Sequence, residues 1–327
     1  MRNEKTGQNT LSRDKFTLFM KNYTIVPILI GLVLLLSIIA DGFLNVDNLG
    51  NLLDQNAING VLAVGMTFLI INGYYDLSVA MVMCLSANLS VGLQSYGMPV
   101  ALLCGIAVGV LIGAINGVLV AKVKMNAFVV TLASMMGTRG FVYIFSGETS
   151  IMGTNEAFAE FGQAQFLGVS ALAWIFIIAL VVGEFILRRT RHGRNTYATG
   201  GNEEVARNAG INTEKTTFIN FVICGAMAGL AGILQAAKLN SATPTLGYPD
   251  LQMTIITCVV LGGSKLAGGF GSMWHTLGGV MAIGIINNGM NVMGLQVYFR
   301  TLVLGLVLIG IIVLDKYLSE NKRKVTS

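Results

Sequence analysis

Charge is what this sequence has least of. Only 11% of its 327 residues are Asp, Glu, Lys or Arg, where a soluble domain carries about 25%. So little polar surface excludes a water-soluble globule, and lipid must solvate much of the chain. Proline is scarce as well, with four residues beside 40 glycines, a balance suited to close helix–helix packing through small residues. The four cysteines, Cys84, Cys104, Cys224 and Cys258, all fall in apolar segments and make no CxxC pair. That argues against disulfides and against a thiolate metal site. The two histidines, His192 and His275, are isolated and are not read as ligands. A net charge of +5 is no nucleic-acid signal here, because the basic residues sit in loops between spans.

What is there is a series of apolar runs of spanning length, which predicts an all-α polytopic membrane protein of about ten transmembrane helices. Residues 1–22 are basic, lack a small-residue cleavage site after an apolar core, and read as a cytoplasmic tail. The spans are expected at 23–40, at 57–73, in a third that runs to about Gly92, and at 100–121, 127–146, 169–187, 216–237, 252–264, 274–290 and 297–314, the eighth being short. They form one transmembrane domain over 23–315, with a basic tail at 316–327. The stretch 41–56 carries acids but no Lys or Arg and has one apolar face, so it is expected outside, along the interface. The loop 147–168 is also acidic and is placed outside. Eighteen of the 21 Lys and Arg fall in segments assigned to the cytoplasm, the exceptions being Arg139, Lys238 and Arg300. That bias puts both termini inside. Trp174 and Trp274 lie near span ends, as interfacial aromatics do. The pair IGAING (112–117) and IGIINN (283–288), with Phe128 and Phe299 at the same offset, points to an inverted internal repeat.

The longest polar segment between spans is 188–215, RRTRHGRNTYATGGNEEVARNAGINTEK. A loop so charged between buried spans calls for a soluble partner. Within it Asn202 is a plausible helix N-cap, Glu203 and Glu204 fall in the first turn where the helix dipole favours acids, and Gly210 can end the helix in the left-handed conformation. Arg207 can pair with a partner's carboxylate. Candidate residues for a solute route lie in INGYYDLSVA (71–80). Tyr74 and Tyr75 offer flat rings for a sugar-like face. Asp76 and Ser78 sit between two spans, where a carboxylate is functional by default or else caps the next helix; both readings stand. Asn287 and Asn288, in INNGMN (286–291), either bond across helices or line a wet path. Arg139 either snorkels outward or pairs with a buried acid such as Asp76. The glycine-dense 259–279 lacks Gly-Lys-Ser/Thr after a strand, so it is no phosphate loop; it reads as a tight re-entrant turn. The 16 methionines are core filler.

The spacing Glu204-x-Ala206-xxx-Gly210 resembles the E-A-A-x-x-x-G signature of ABC-importer permeases. The match extends from about residue 45 to 315 through AVGMTF–LI (63–70), DLSV (76–79), INGVLVAK (115–122), TL…RG (131–140), TRHGRN–YATGGNEE (190–204), GI-N (210–212) and LGG–LAGG-G (261–271). The ordered set resembles the sugar-importing ABC permeases of the ribose, xylose and galactoside type. The resemblance implies a ten-helix, type II (BtuC-like) importer permease that works as a pair, two copies or a copy and a paralogue. It implies a cytoplasmic ATPase that holds ATP and Mg, an extracytoplasmic solute-binding protein, and a place in the bacterial cytoplasmic membrane. This chain would bind no cofactor and catalyse no reaction. It departs from the family at Tyr74 and Tyr75, where Gly-Ile is usual. It departs again at Gln252 and Thr254, where two acids are usual before the LGG. Those neutral residues leave transport intact and bear on which sugar-like solute is carried. An ion-coupled secondary transporter is the alternative; it needs titratable groups along its path, and only Asp76 and Arg139 stand within the spans. An integral-membrane enzyme is the weaker rival, since no His/Asp or Ser/His/Asp arrangement occupies the loops.

Overall fold

The computed structural model describes residues 25–310, apart from 248, 249, 297, 300, 304, 307 and 308. Helices dominate it. In chain order they are α1 (Ile25–Ile39), α2 (Val46–Ile71), α3 (Val79–Gly92), α4 (Met98–Gly117), α5 (Ala127–Ser146), α6 (Glu156–Gln163), α7 (Ala171–Arg189), α8 (Arg191–Gly201), α9 (Glu203–Asn208), α10 (Thr213–Leu239), α11 (Leu251–Leu261) and α12 (Met273–Val292). A wide turn of π-helix, Val118–Lys122, extends α4. Among the described residues, five helices, at 46–71, 98–122, 127–146, 171–189 and 213–239, are long and apolar enough to cross a membrane. The expected tails at 1–22 and 316–327, the start of the first span, Arg300 and part of the tenth span lie outside the described residues.

The span at 127–146 falls where the apolar run placed it, and the third ends at Gly92 as expected, its helix starting at Val79. The second span begins earlier than expected. Residues 46–56, expected to lie along the interface, are the first three turns of α2. Asn45 caps the helix by accepting from Asp47 N, and the polar residues of those turns are satisfied without leaving it. Asn56 donates to Leu52 O at 2.7 Å, and Asn48 exchanges a pair of 2.8 Å hydrogen bonds with Asn288 on α12. A helix keeps its backbone paired whatever surrounds it, so polar side chains that find partners do not end it.

Two helices form the centre. In α2 and α10 most residues are buried, including Leu62, Met66, Leu69, Ile70, Phe221 and Leu234. The short α3 beside them is almost wholly buried as well, while the outer helices α4, α5 and α7 show the opposite pattern. Helix α5 buries Val130, Thr131, Thr138 and Val142 along one stripe, while Phe128, Met136, Phe141 and Ile144 face outward. Helices α4 and α7 likewise present Leu103, Leu111, Ile178 and Val182 outward. An apolar sheath around a packed centre is stable only where the solvent is lipid. Helices α4 and α10 approach closely, and a Cβ at Gly113 would stand 2.5 Å from Phe221 O. Small residues let these backbones pack in the absence of a hydrophobic drive between helices.

Three features between spans set the positions of the polar groups. The loop 147–170 carries α6, capped by Asn155, whose Phe158 packs on α10 residues Ala236 and Ala237. After Ala242, which pairs with Ile151 in a two-residue ladder, the chain turns back into the bundle. There Thr243 O accepts Asn88 Nδ2 at 3.3 Å and Cys84 Sγ at 3.4 Å. Helix α11 therefore starts in the interior, Leu251 packing against Ala80–Leu85 of α3, and is a half-span of 11 residues. The glycine-dense 262–272 is a turn that returns the chain to α12, as its composition suggests.

Candidate functional site

The polar segment 188–215 folds as two short helices rather than one in a loop. Helix α8 is not among those the sequence predicts. Its Gly-rich sequence has poor helix propensity, and tertiary contacts hold it. His192 Nε2 lies 2.8 Å from Asn220 Oδ1 on α10, and its ring stacks on Phe68 at 6.5 Å. Burial pushes this imidazole below its ordinary pKa, against its hydrogen bond to Asn220 Oδ1, which raises it. Tyr197 OH donates to Gly271 O at 2.7 Å, tying α8 to the 262–272 turn.

Helix α9 follows as its caps dictate. Asn202 Oδ1 accepts Val205 N at 3.0 Å, Glu203 and Glu204 occupy the first turn, and Gly210 takes φ +86°. Ile211 N closes the end on Ala206 O at 3.1 Å. Ala206 is turned into the protein, only 4% exposed, so it helps seat α9 on its own chain. The residues α9 leaves exposed are Glu204, Val205, Arg207 and Asn208, and Ala209 and Gly210 are exposed just after it. Val205, 63% exposed in the middle of a charged segment, is hidden in sequence because its neighbours are polar.

Glu203 points the other way, toward the bundle. Its carboxylate accepts Tyr74 OH at 3.4 Å and Thr213 Oγ1 at 3.2 Å, and Lys124 Nζ lies 3.4 Å from it. Lys124 also approaches Glu214 at 3.6 Å. Each ion pair is half exposed and contributes little alone, on the order of 0–1 kcal/mol. Their effect is to orient α9 over the 72–78 turn. Tyr74, a sequence candidate for a solute route, thus stands between Glu203 of α9 and Phe221 of α10, whose ring centroid is 6.3 Å away.

Asp76 is 1% exposed and forms a closed network. Its Oδ1 accepts Ser78 N at 2.7 Å and Ser78 Oγ at 2.6 Å; its Oδ2 accepts Asn116 Nδ2 at 3.2 Å, which also reaches Ser78 Oγ at 3.1 Å. The carboxylate thus stitches the start of α3 to the C-terminal end of α4. Sequence reasoning does not single out Asn116, though it lies within INGVLVAK. Arg139 lies over the ring of Tyr143, one turn along α5, at 5.5 Å.

The other candidates lie apart from this group. Gln252 is buried and Thr254 half-buried in the first turn of α11, Thr254 Oγ1 donating to Asp250 O at 3.3 Å. Asn288 is paired with Asn48, so it bonds across helices, and Asn287 beside it is half-buried. Asn48 and Tyr74 flank opposite ends of α2, roughly 35 Å apart at 1.5 Å per residue. No single pocket can hold both. Neither the cleft of about 360 Å³ beneath α6 nor that of about 430 Å³ between α1, α2, α7 and α12 is lined by a candidate residue.

A helical centre wrapped in apolar side chains, with a capped and charged helix pair projecting beyond the ends of the spans, defines a multi-pass membrane protein. The chain belongs to the family described as branched-chain amino acid transport system / permease component, which it matches over residues 48–312. It is 35% identical over 319 residues to the ribose import permease protein RbsC of Escherichia coli K12, covering 95% of this chain and 98% of that protein. It is 39% identical over 289 residues to the RbsC of Bacillus subtilis 168, covering 87% and 89%. It is 34% identical over 290 residues to the L-arabinose transport system permease protein AraH of E. coli K12, covering 86% of each. No solved structure matches it significantly. The protein is a membrane permease subunit.

Proposed function

We propose that this permease imports a monosaccharide or sugar-like solute across the bacterial cytoplasmic membrane, as the spanning subunit of an ATP-binding-cassette importer. The observation that carries the reading is α9: a capped, charged helix with one exposed apolar residue, held over the ends of the spans by Glu203. Its outward face docks on a separate ATPase subunit, which holds the ATP and Mg. A solute-binding protein on the opposite face delivers the solute, and two permease chains together form the route. Relatives named for ribose and arabinose import support the solute class.

In this reading the transmembrane domain spans 23–315 with ten helices, the tenth at 297–314, and both termini are cytoplasmic. IGAING on α4 and IGIINN on α12 lie on helices of opposite sense, as an inverted repeat requires. The half-helix α11 brings Gln252 and Thr254 into the bundle interior. Interrupted helices of this kind place solute-binding groups near the middle of the bilayer. Neutral amide and hydroxyl groups there suit a solute bound by hydrogen bonds rather than by buried carboxylates.

Topology is tested by labelling. A cysteine at Gln163, exposed at the end of α6, should react with an impermeant thiol reagent from outside the cell. One at Asn208, exposed on α9, should react only after the membrane is opened. Labelling of both from one side excludes the ten-helix arrangement.

Function is tested in proteoliposomes containing the permease, its ATPase and its binding protein. Labelled ribose or arabinose should accumulate only with ATP inside the compartment corresponding to the cytoplasm. Uptake that ignores ATP and collapses with a proton or sodium gradient would instead favour ion-coupled transport.

A further inference from the structure

We propose that movement of the α8–α9 unit reaches the half-helix α11 through a clasp of bare backbone formed by Gly73, Gly200 and Gly268. This rests on the reading that α9 docks on the ATPase, and adds how that docking is felt inside the bundle.

Three connections that are distant in sequence meet at this point. They are the turn after α2, the junction of α8 and α9, and the turn between α11 and α12. Gly73, Gly268 and Gly269 have φ of +86°, +85° and +73°, a region that L side chains rarely adopt. Gly269 N donates to Ile71 O at 2.8 Å. A Cβ on Gly200 would overlap that same Ile71 oxygen. A Cβ on Gly268 would stand 2.5 Å from Gly200 O and 3.0 Å from Gly73 Cα, and one on Gly269 would stand 2.8 Å from Gly201 Cα. No side chain separates the three strands of backbone. A displacement of one therefore has no rotamer to absorb it, and close-packed backbone transmits it.

On its far side the turn is joined firmly to α11. Gly263 N donates to Val260 O at 2.9 Å, and Ser264 N to Val259 O at 3.3 Å. Helix α11 is in turn pressed on α12, where a Cβ at Gly262 or Gly279 would overlap His275 O or Cys258 O. The hairpin α11–turn–α12 is thus one stiff body. Its inner end is gripped by the α8–α9 junction, and its other end carries Gln252 and Thr254. Tyr197 adds a second grip through Gly271 O, and Glu203 limits sideways slip through Tyr74 and Lys124.

The test uses the assembled importer. Gly200→Ala should reach the membrane and capture the ATPase as wild type does, while uptake falls about tenfold or more. Basal ATP hydrolysis should persist, and its stimulation by solute-loaded binding protein should be lost. A general folding defect would lower basal and stimulated rates together. Wild-type uptake by Gly200→Ala overturns the clasp. Loss of ATPase capture also overturns it, by making the junction part of the docking face. If Gly200→Ala fails to insert, Tyr197→Phe decides, since it removes one hydroxyl and no volume. It should reduce uptake about two- to fivefold with capture intact, and unchanged uptake overturns the proposal. Val205→Asp probes docking alone, so failure of that reading is separately visible as retained ATPase capture.

Discussion

A permease carrying Val205→Asp is expected to insert normally and to lose its ATPase. Val205 is exposed on a helix whose other exposed residues, Glu204, Arg207 and Asn208, are polar, and its neighbour Ala206 faces inward. A valine buried at a protein interface contributes about 1.5–3 kcal/mol. A carboxylate in its place adds a desolvation cost of several kcal/mol if it enters the interface. Together these amount to at least about a hundredfold in affinity, at tenfold per 1.4 kcal/mol. Gly210→Glu should act in the same direction. A Cβ at Gly210 meets nothing within 4 Å in this chain, so a large effect there must come from the partner, beyond about 1 kcal/mol of left-handed backbone strain. Arg207→Glu should act more weakly, because one solvent-exposed ion pair is only part of the contact. The measurement is co-purification of the ATPase with each variant, beside the amount of permease in the membrane. Wild-type capture by Val205→Asp would show that α9 docks through some other face, or not at all.

The second large effect is expected at Asp76. Its carboxylate is the acceptor for Ser78 N, Ser78 Oγ and Asn116 Nδ2, all buried. Asp76→Ala leaves these donors without it. Each buried donor left unsatisfied costs about 1–3 kcal/mol, and Asn116 keeps only its contact with Ser78 Oγ. A total on the order of 3–6 kcal/mol is expected, enough to lower the melting temperature in detergent sharply and to reduce the amount recovered from membranes. Asp76→Asn keeps the shape and one acceptor oxygen and should lose less than half as much. Uptake should follow stability across the two variants. If Asp76→Ala melts like wild type and yet fails to transport, the carboxylate serves the solute and not the α3–α4 joint.

Much of the fold is legible because lipid imposes a simple rule. Apolar runs long enough to cross must be helical, since no other structure pairs their backbone. The span at 127–146 can be read to the residue, and Asn202, Glu203, Glu204 and Gly210 announce α9 with its caps. Where local signals compete, sequence misleads. Asn45–Asn56 looks like an interfacial stretch because polarity in sequence does not reveal that Asn48 has a partner 240 residues away on α12. Helix α8 is hidden because its glycines argue against a helix, and the hydrogen bonds that hold it come from α10 and the 262–272 turn.

The sequence by itself determined the class of protein, the positions of most spans, the caps of α9 and the family, because each rests on composition or on spacing within a short stretch. Only the tertiary structure decided the direction of each side chain. Ala206 turned inward and Val205 outward, Glu203 reached Tyr74, Asp76 closed on Asn116, and three glycine turns met at Ile71 O. Those outcomes depend on which helix lies beside which. In a membrane, where packing between helices has no hydrophobic drive and rests on shape and hydrogen bonds, that is settled by contacts between residues far apart in the chain and by no local pattern.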